Sequence, residues 1–224
     1  MSVVSETADW LVESSHWSGV DGIPHRLLEH VGYTGLTVAL GMAVALPLGL
    51  WIGHTGRLRS AALATTGALR ALPTLGLLTL VVLFSGIGLL APVLALTVLA
   101  IPPLLAGAYA GLESVDRDTI DAARAQGMTE WQILTKVEIP LALPIIVGGI
   151  RSATLQVVAT ATVAAYVGLG GLGRFIIDGQ AVQDYPQMLS GAVLIVVLAL
   201  VLDGGFALAQ RLATGARVPV TTSA

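Results

Sequence analysis

The chain has 224 residues, of which 55% are hydrophobic and only 11% are charged, and its formal net charge at pH 7 is -3. A soluble domain carries roughly 25% charged residues because its surface must stay hydrated, so this composition excludes an ordinary soluble globule and indicates a lipid bilayer as the surrounding solvent. The scattered basic residues exclude a nucleic-acid-binding surface. The lack of cysteine excludes disulfides and thiolate metal ligands.

The N-terminal segment differs in character from the rest of the chain. Met1 to Val20 has no basic start and no apolar core, and it carries Glu6, Asp9 and Glu13. It is therefore not a cleavable signal peptide. We expect residues 1–28 to form an extracytoplasmic segment, with the later hydrophobic segments directing insertion into the membrane.

Five apolar runs follow, each of about the 20 residues that a membrane-spanning helix needs. They lack the alternating pattern of barrel strands, and a helix satisfies its backbone hydrogen bonds inside the bilayer. The predicted fold class is therefore all-α, a polytopic membrane helical bundle of about five transmembrane helices within residues 29–213. The predicted spans cover 31–52, 61–84, 89–111, 141–167 and 188–209.

The basic residues indicate the orientation of these five spans. One face of the membrane receives only Arg26 and Arg174. Lys and Arg favour the cytoplasmic side, so we predict an N-terminus outside and a C-terminus inside, with 214–224 as a cytoplasmic tail. An even number of spans would break this sorting. The other face receives Arg57, Arg59, Arg117, Arg124, Lys136, Arg211 and Arg217.

The polar loop 112–140, between the third and fourth predicted spans, carries strong helix signals. Asp118 to Ala125 is rich in helix formers and begins with acidic residues, which the helix dipole favours there. Gly127 suits the left-handed position that ends such a helix.

A second short helix is expected directly after the first. Thr129 and Gln132 have the spacing of a capping box, and Pro140 is expected to end the helix. The loop is thus predicted to be an elbow of two short helices on the cytoplasmic side. Its small and apolar residues, Ala122 and Trp131 among them, suit docking of a partner, and an amphipathic loop lying on the lipid headgroups is the alternative.

The loop resembles the EAA motif of ABC importer permeases, in which Glu-Ala-Ala is followed by Gly and then by Ile-x-Leu-Pro at fixed spacing. Two alanines, one glycine and the final proline match in register, whereas Asp121, Val137 and Ile139 replace Glu, Ile and Leu. The resemblance implies a type I importer permease fold and an elbow that couples to a separate ATPase. The residues expected to carry this coupling are Asp121, Ala122, Ala123, Gly127, Trp131, Ile139 and Pro140.

Further segments resemble the glycine betaine/carnitine/choline branch of these permeases. They are 70–78, 86–88, 168–173 and Leu202-Asp203. This resemblance implies an osmoprotectant as cargo, an extracytoplasmic solute-binding protein, a cytoplasmic ABC ATPase and a second permease subunit as partners, and no cofactor. The alternatives are a permease for another small solute such as an amino acid, a passive channel or scaffold, and an integral membrane enzyme.

Two patterns in the sequence bear on nucleotide binding. Gly168 to Gly173 satisfies G-x-G-x-x-G, but the dinucleotide site needs a soluble strand-helix-strand unit around it, so we expect a flexible hairpin where the binding protein could dock. The chain has no G-x-x-x-x-G-K-[ST], so ATP hydrolysis is expected on another polypeptide.

Three charged residues fall at or near membrane depth, where charges are costly and often functional. They are Arg70, Arg151 and Asp203. An Arg–Asp pair that stabilises the bundle or closes its inner gate is one hypothesis. Anchoring at the membrane interface is the other.

Overall fold

The computed structural model describes residues 2–215, with side chains described as far as Arg211, and this part of the chain is helical without strands. Short 3-10 helices cover Ser14–Trp17 and Thr162–Val167, and a π-helical turn covers Leu134–Glu138. The α-helices are α1 (Val3–Val12), α2 (Ile23–Thr55), α3 (Arg59–Arg70), α4 (Thr74–Ser85), α5 (Leu90–Glu113), α6 (Arg117–Ala125), α7 (Glu130–Ile133), α8 (Ile139–Ala161), α9 (Gly173–Val182) and α10 (Tyr185–Gly215).

Among the described residues, four stretches are long and apolar enough to cross a membrane on their own, and a bent pair of helices adds a fifth. The four are α2, α5, the continuous run Glu130–Val167 and the part of α10 up to Arg211. The bent pair is α3 and α4. This confirms the predicted all-α, polytopic fold class.

The prediction of one continuous helix over 61–84 is wrong. The chain breaks between α3 and α4, whose axes differ by 88°. Pro73 explains the break, because proline has no N–H to donate and disfavours helical geometry at the residue before it. Each half has 12 residues, about 18 Å at 1.5 Å per residue, which is short of the ~30 Å hydrocarbon core.

Contacts at the helix ends show which way the bent pair runs. The end of α2 meets the start of the α8 run through His54 and Glu138, and α5 ends at the same end of the bundle because it leads into α6. The intervening α3 starts there too, with Arg59 Nε 3.1 Å from Glu113 Oε1. The chain must therefore return to the opposite end through α3 and α4, which makes the pair a broken fifth traverse.

The predicted N-terminal boundary falls inside a helix. Residue 29 lies within α2, which already begins at Ile23 with Pro24 in its first turn, a favoured place for proline. The segment before it contains α1, which packs against α10. The ring of Trp10 lies 5.4 Å from that of Phe175 in an edge-on contact. The predicted tail lies outside the described residues beyond Gly215.

The core of the bundle is α5, packed between α2 and α8. Glycines allow the α5–α8 approach: a Cβ built on Gly149 would lie 2.8 Å from the Cα of Gly107. The hydrophobic effect does not drive helices together in lipid, so they associate through close van der Waals packing, which small residues at the crossing permit.

Gly149→Ala is expected to lower the free energy of unfolding by about 1–3 kcal/mol, the usual cost of overpacking a tight contact. The matched control is Gly35→Ala in α2, where a Cβ would meet nothing within 4 Å. Thermal unfolding of the two purified variants in the same detergent checks this. Equal melting temperatures would show that the crossing tolerates a methyl group.

Candidate functional site

The elbow predicted from the sequence is formed by α6 and α7. Helix α6 begins where Asp118 donates its backbone N–H to the side chain of Asp116, at 3.1 Å. It ends at Gly127, which has the left-handed φ of 82° that the sequence predicted. The N–H of Met128 then donates to Ala123 O at 3.2 Å, a bond that reverses the chain and fixes the angle of the elbow.

Helix α7 starts with the predicted capping box. The backbone N–H of Gln132 donates to Thr129 Oγ1 at 3.4 Å, and the backbone N–H of Thr129 donates to Gln132 Oε1 at 2.9 Å. Both bonds satisfy donors that the start of a helix leaves unpaired. The prediction of a second helix at this position is therefore confirmed.

The prediction that Pro140 ends this helix is wrong. The chain passes through the π-helical turn Leu134–Glu138 and continues as α8. Within that turn Ile139 N–H donates to Leu134 O, five residues back. Pro140 then lies in the first turn of α8, where a missing N–H costs little. The elbow is consequently joined to a spanning helix without a loop.

One face of the elbow is buried against the ends of α5 and α8. Ile120, Ala123 and Ile133 are 4%, 6% and 0% exposed, and they pack with Leu112 and Ala142. A groove of about 480 Å³ lies beside α6. The groove is lined by Asp118, Thr119, Ala122, Ala123, Gln126, Met128 and Val137.

The residues predicted to couple to an ATPase divide into two sets. Exposed on the elbow are Asp121, Ala122, Gly127 and Trp131, with Trp131 exposed to 72%. Buried or half-buried are Ala123, which faces the bundle, and Ile139 and Pro140, which lie in the first turn of α8. The structure therefore exposes four of the seven on the elbow.

An ionic contact ties the two elbow helices together. Arg124 of α6 donates from Nε and Nη2 to the two carboxylate oxygens of Glu130 in α7, at 2.8 and 3.1 Å. It also donates from Nη1 to Asp121 at 3.1 Å. The hydrogen bond to Glu130, followed by that to Asp121, raises the pKa of the Arg124 guanidinium above its ordinary value.

The same chain of charges reaches α2, which the sequence did not predict. Glu130 Oε2 lies 3.4 Å from His54 Nε2, and His54 Nδ1 is hydrogen-bonded to the carboxyl group of Glu138. Glu138 is only 3% exposed. The sequence signal for this contact is an acidic residue, Glu138, in the mostly apolar stretch just before a predicted span, because a buried acid needs a partner.

Of the three charged residues predicted at membrane depth, Arg151 and Asp203 form a pair and Arg70 stands apart. Arg151 of α8 donates from Nε and Nη2 to the two carboxylate oxygens of Asp203 in α10, at 2.6 and 2.7 Å. Arg151 also donates from Nη1 to Gln210 Oε1 at 3.4 Å, and Gln210 donates from Nε2 to Pro144 O at 3.2 Å. Arg70 ends α3 beside the helix break, is exposed, and makes no ion pair with a described residue.

The glycine run at the other end of the bundle is packed against α2. Gly171 N–H donates to Glu29 Oε2 at 2.8 Å, and Arg26 donates to the same carboxylate at 2.8 Å. A Cβ on Gly170 would overlap the Glu29 carboxylate, so a larger residue there would displace the end of the Glu29 side chain. The run thus forms a turn that is bonded to α2 and leads into α9, and docking of a binding protein there stays a prediction.

A bundle of four apolar spans plus one broken span within residues 2–215, with a capped helical elbow at one end, defines a polytopic membrane protein. Residues 45–213 match the family model for the inner membrane component of binding-protein-dependent transport systems. The chain belongs to this family.

Curated relatives and solved structures agree with this assignment. The carnitine transport permease protein OpuCB of Listeria monocytogenes is 35% identical over 183 residues, covering 80% of this chain and 84% of the relative. The osmoprotectant import permease protein OsmW of Salmonella typhimurium is 36% identical over 180 residues, covering 78% and 84%. A chain of the MetNI methionine ABC transporter in an inward-facing conformation aligns with a TM-score of 0.76 and 26% identity, covering 84% and 94%.

Proposed function

We propose that this chain is the membrane-spanning permease subunit of an ATP-driven ABC importer for osmoprotectants such as glycine betaine, carnitine or choline. The elbow carries the proposal, because a rigid, capped and exposed pair of helices is what a coupling surface requires. The cargo class is supported by relatives named for carnitine and osmoprotectant transport. An amino acid is the second candidate, supported by the likeness to the methionine transporter chain.

We assign one proposed partner to each end of the bundle and a third to its side. A separate ATPase docks on the outer face of the elbow, a solute-binding protein docks at the opposite end, and a second permease subunit, identical or homologous, completes the pathway. The distribution of basic residues supports an elbow in the cytoplasm: Arg57, Arg59 and Lys136 lie at its end, whereas Arg26 and Arg174 lie at the other. The N-terminus is then outside the cell and the C-terminus inside.

Transport would follow from movement of the elbow. When ATP closes two ATPases on each other, the two docked elbows approach, and the helices joined to them rock from inward-open to outward-open. The binding protein then releases its solute into the cavity between the permeases.

Uptake of radiolabelled glycine betaine into proteoliposomes that hold the complete importer tests this function. We expect uptake to need ATP, the ATPase and the binding protein together. Removal of residues 118–138 is expected to abolish co-purification of the ATPase. Uptake without ATP would identify a passive channel instead, and an ATPase that still co-purifies after the deletion would contradict the role of the elbow.

A further inference from the structure

We propose that His54 is a positioning residue that joins the coupling elbow to α2, so that displacement of the elbow moves two spanning helices together. The inference rests on the proposed coupling function of the elbow. His54 ends the first span, 84 residues before its partner Glu138, and it belongs neither to the elbow nor to its docking face.

The geometry places His54 between two carboxylates from different parts of the elbow run. Its Nδ1 contacts Glu138 at the end of the π-helical turn, and its Nε2 faces Glu130 in α7. The side chains of His54 and Glu138 are only 14% and 4% exposed. Because a buried carboxylate without a partner is costly, this contact is fixed in the folded state and is not an incidental surface pair.

The contact continues outward to the docking face. Glu130 is held by two hydrogen bonds from Arg124, and Arg124 also reaches Asp121 on the exposed surface of α6. Five side chains from α2, α6, α7 and the π-helical turn therefore form one connected set. They are Asp121, Arg124, Glu130, His54 and Glu138.

The π-helical turn explains why a second connection matters. Along the chain, the elbow is connected to α8 through Leu134–Glu138, where a backbone hydrogen bond spans five residues and not four. Such turns are irregular points in a helix and are frequent at functional sites. Bending there would absorb part of an imposed displacement. His54 fastens both sides of the turn, Glu130 before it and Glu138 at its end, to the end of α2, which otherwise packs mainly on α5 and α8.

Spin labels can measure this joint, because the natural chain contains no cysteine. Arg57→Cys after α2 and Arg117→Cys at the start of α6 place two labels at exposed positions on either side of the contact. Pulsed electron resonance gives the distance between them in nanodiscs, for the permease alone and for the complete importer with and without ATP. We expect a narrow distribution that ATP does not change.

His54→Gln and Glu130→Gln are expected to broaden this distribution and make it change with ATP. Glu130 has a 57% exposed side chain, so its variant keeps the proposal testable if the His54 variant fails to fold. The matched control is Glu113→Gln, which breaks the Arg59–Glu113 pair at the same end of the bundle and leaves the elbow connected. The control is expected to behave like the parent.

Transport per ATP hydrolysed separates positioning from a structural role. We expect the His54 and Glu130 variants to assemble and hydrolyse ATP while losing glycine betaine uptake, whereas a purely structural defect would lower assembly and hydrolysis together. The proposal is overturned if the His54 and Glu130 variants both show the same label distances and the same transport per ATP hydrolysed as the parent protein. If the parent itself shows no ATP-dependent uptake, the proposed function fails, and the labelled permease alone still tests the joint.

Discussion

Ala122→Arg is expected to weaken ATPase binding at least about tenfold, because a charge buried without a partner at an interface costs several kcal/mol. Ala122 is exposed on α6 and lines the groove beside it. Because this side chain is exposed, the variant should fold and insert like the parent. Co-purification of the ATPase and ATP-dependent uptake of glycine betaine measure the effect.

Ala122→Ser is the matched control at the same position. Serine adds one oxygen that can stay hydrated at the rim of the groove, so binding and uptake should remain close to those of the parent. Parental ATPase binding in the arginine variant would place the docking surface elsewhere on the elbow. Loss of both variants from the membrane would instead point to a role of Ala122 in folding.

Local signals made the elbow predictable from the sequence. The capping box of Thr129 and Gln132 and the left-handed Gly127 each depend on neighbours within a few residues, and the structure forms all of their expected bonds. The sequence predicts the wrong role for Pro140 because proline can end a helix or begin one. The π-helical turn that decides between the two leaves no local signature in the sequence.

Hydropathy predicted the number of traverses but not the shape of the second one. The mean hydropathy of residues 61–84 is high because most of them are apolar, and one proline hardly changes it. The backbone nevertheless bends by 88° beside Pro73. Contacts between distant residues were equally hidden. His54 meets Glu138 across 84 positions and Glu29 meets Gly171 across 142, and such pairings depend on how the helices pack.

The two ends of the bundle are held by similar means. At one end Glu29 accepts hydrogen bonds from the turn before α9 and from Arg26. At the other end Glu138 binds His54. In both places a carboxyl group links α2 to a segment next to α8: the glycine turn after α8 at one end and the π-helical turn before α8 at the other. Helix α2 thus carries a polar anchor near each end, which suits a helix that must move as a rigid body between two states.

Asp203→Lys is expected to reduce assembled protein and solute uptake to background. The variant would set two cations against each other where Arg151 now donates two hydrogen bonds to one carboxylate. Asp203 lies 18 residues after Tyr185 in α10, about 27 Å along the helix at 1.5 Å per residue, and therefore toward the elbow end of the hydrocarbon core. Charges at such depth persist only when paired or hydrated.

The reciprocal exchange, Arg151→Asp with Asp203→Arg, separates pairing from other roles of the two residues. It should recover assembly if the pair fastens α8 to α10, because opposite charges again meet at the same place. Asp178→Lys is the matched control: it reverses the Arg174–Asp178 pair within one helix turn of α9, 2.7 Å apart and partly exposed, where an ion pair contributes little. Membrane yield, melting temperature and glycine betaine uptake are the measurements. Parental uptake by Asp203→Lys would show that neither the bundle nor its inner gate depends on the pair.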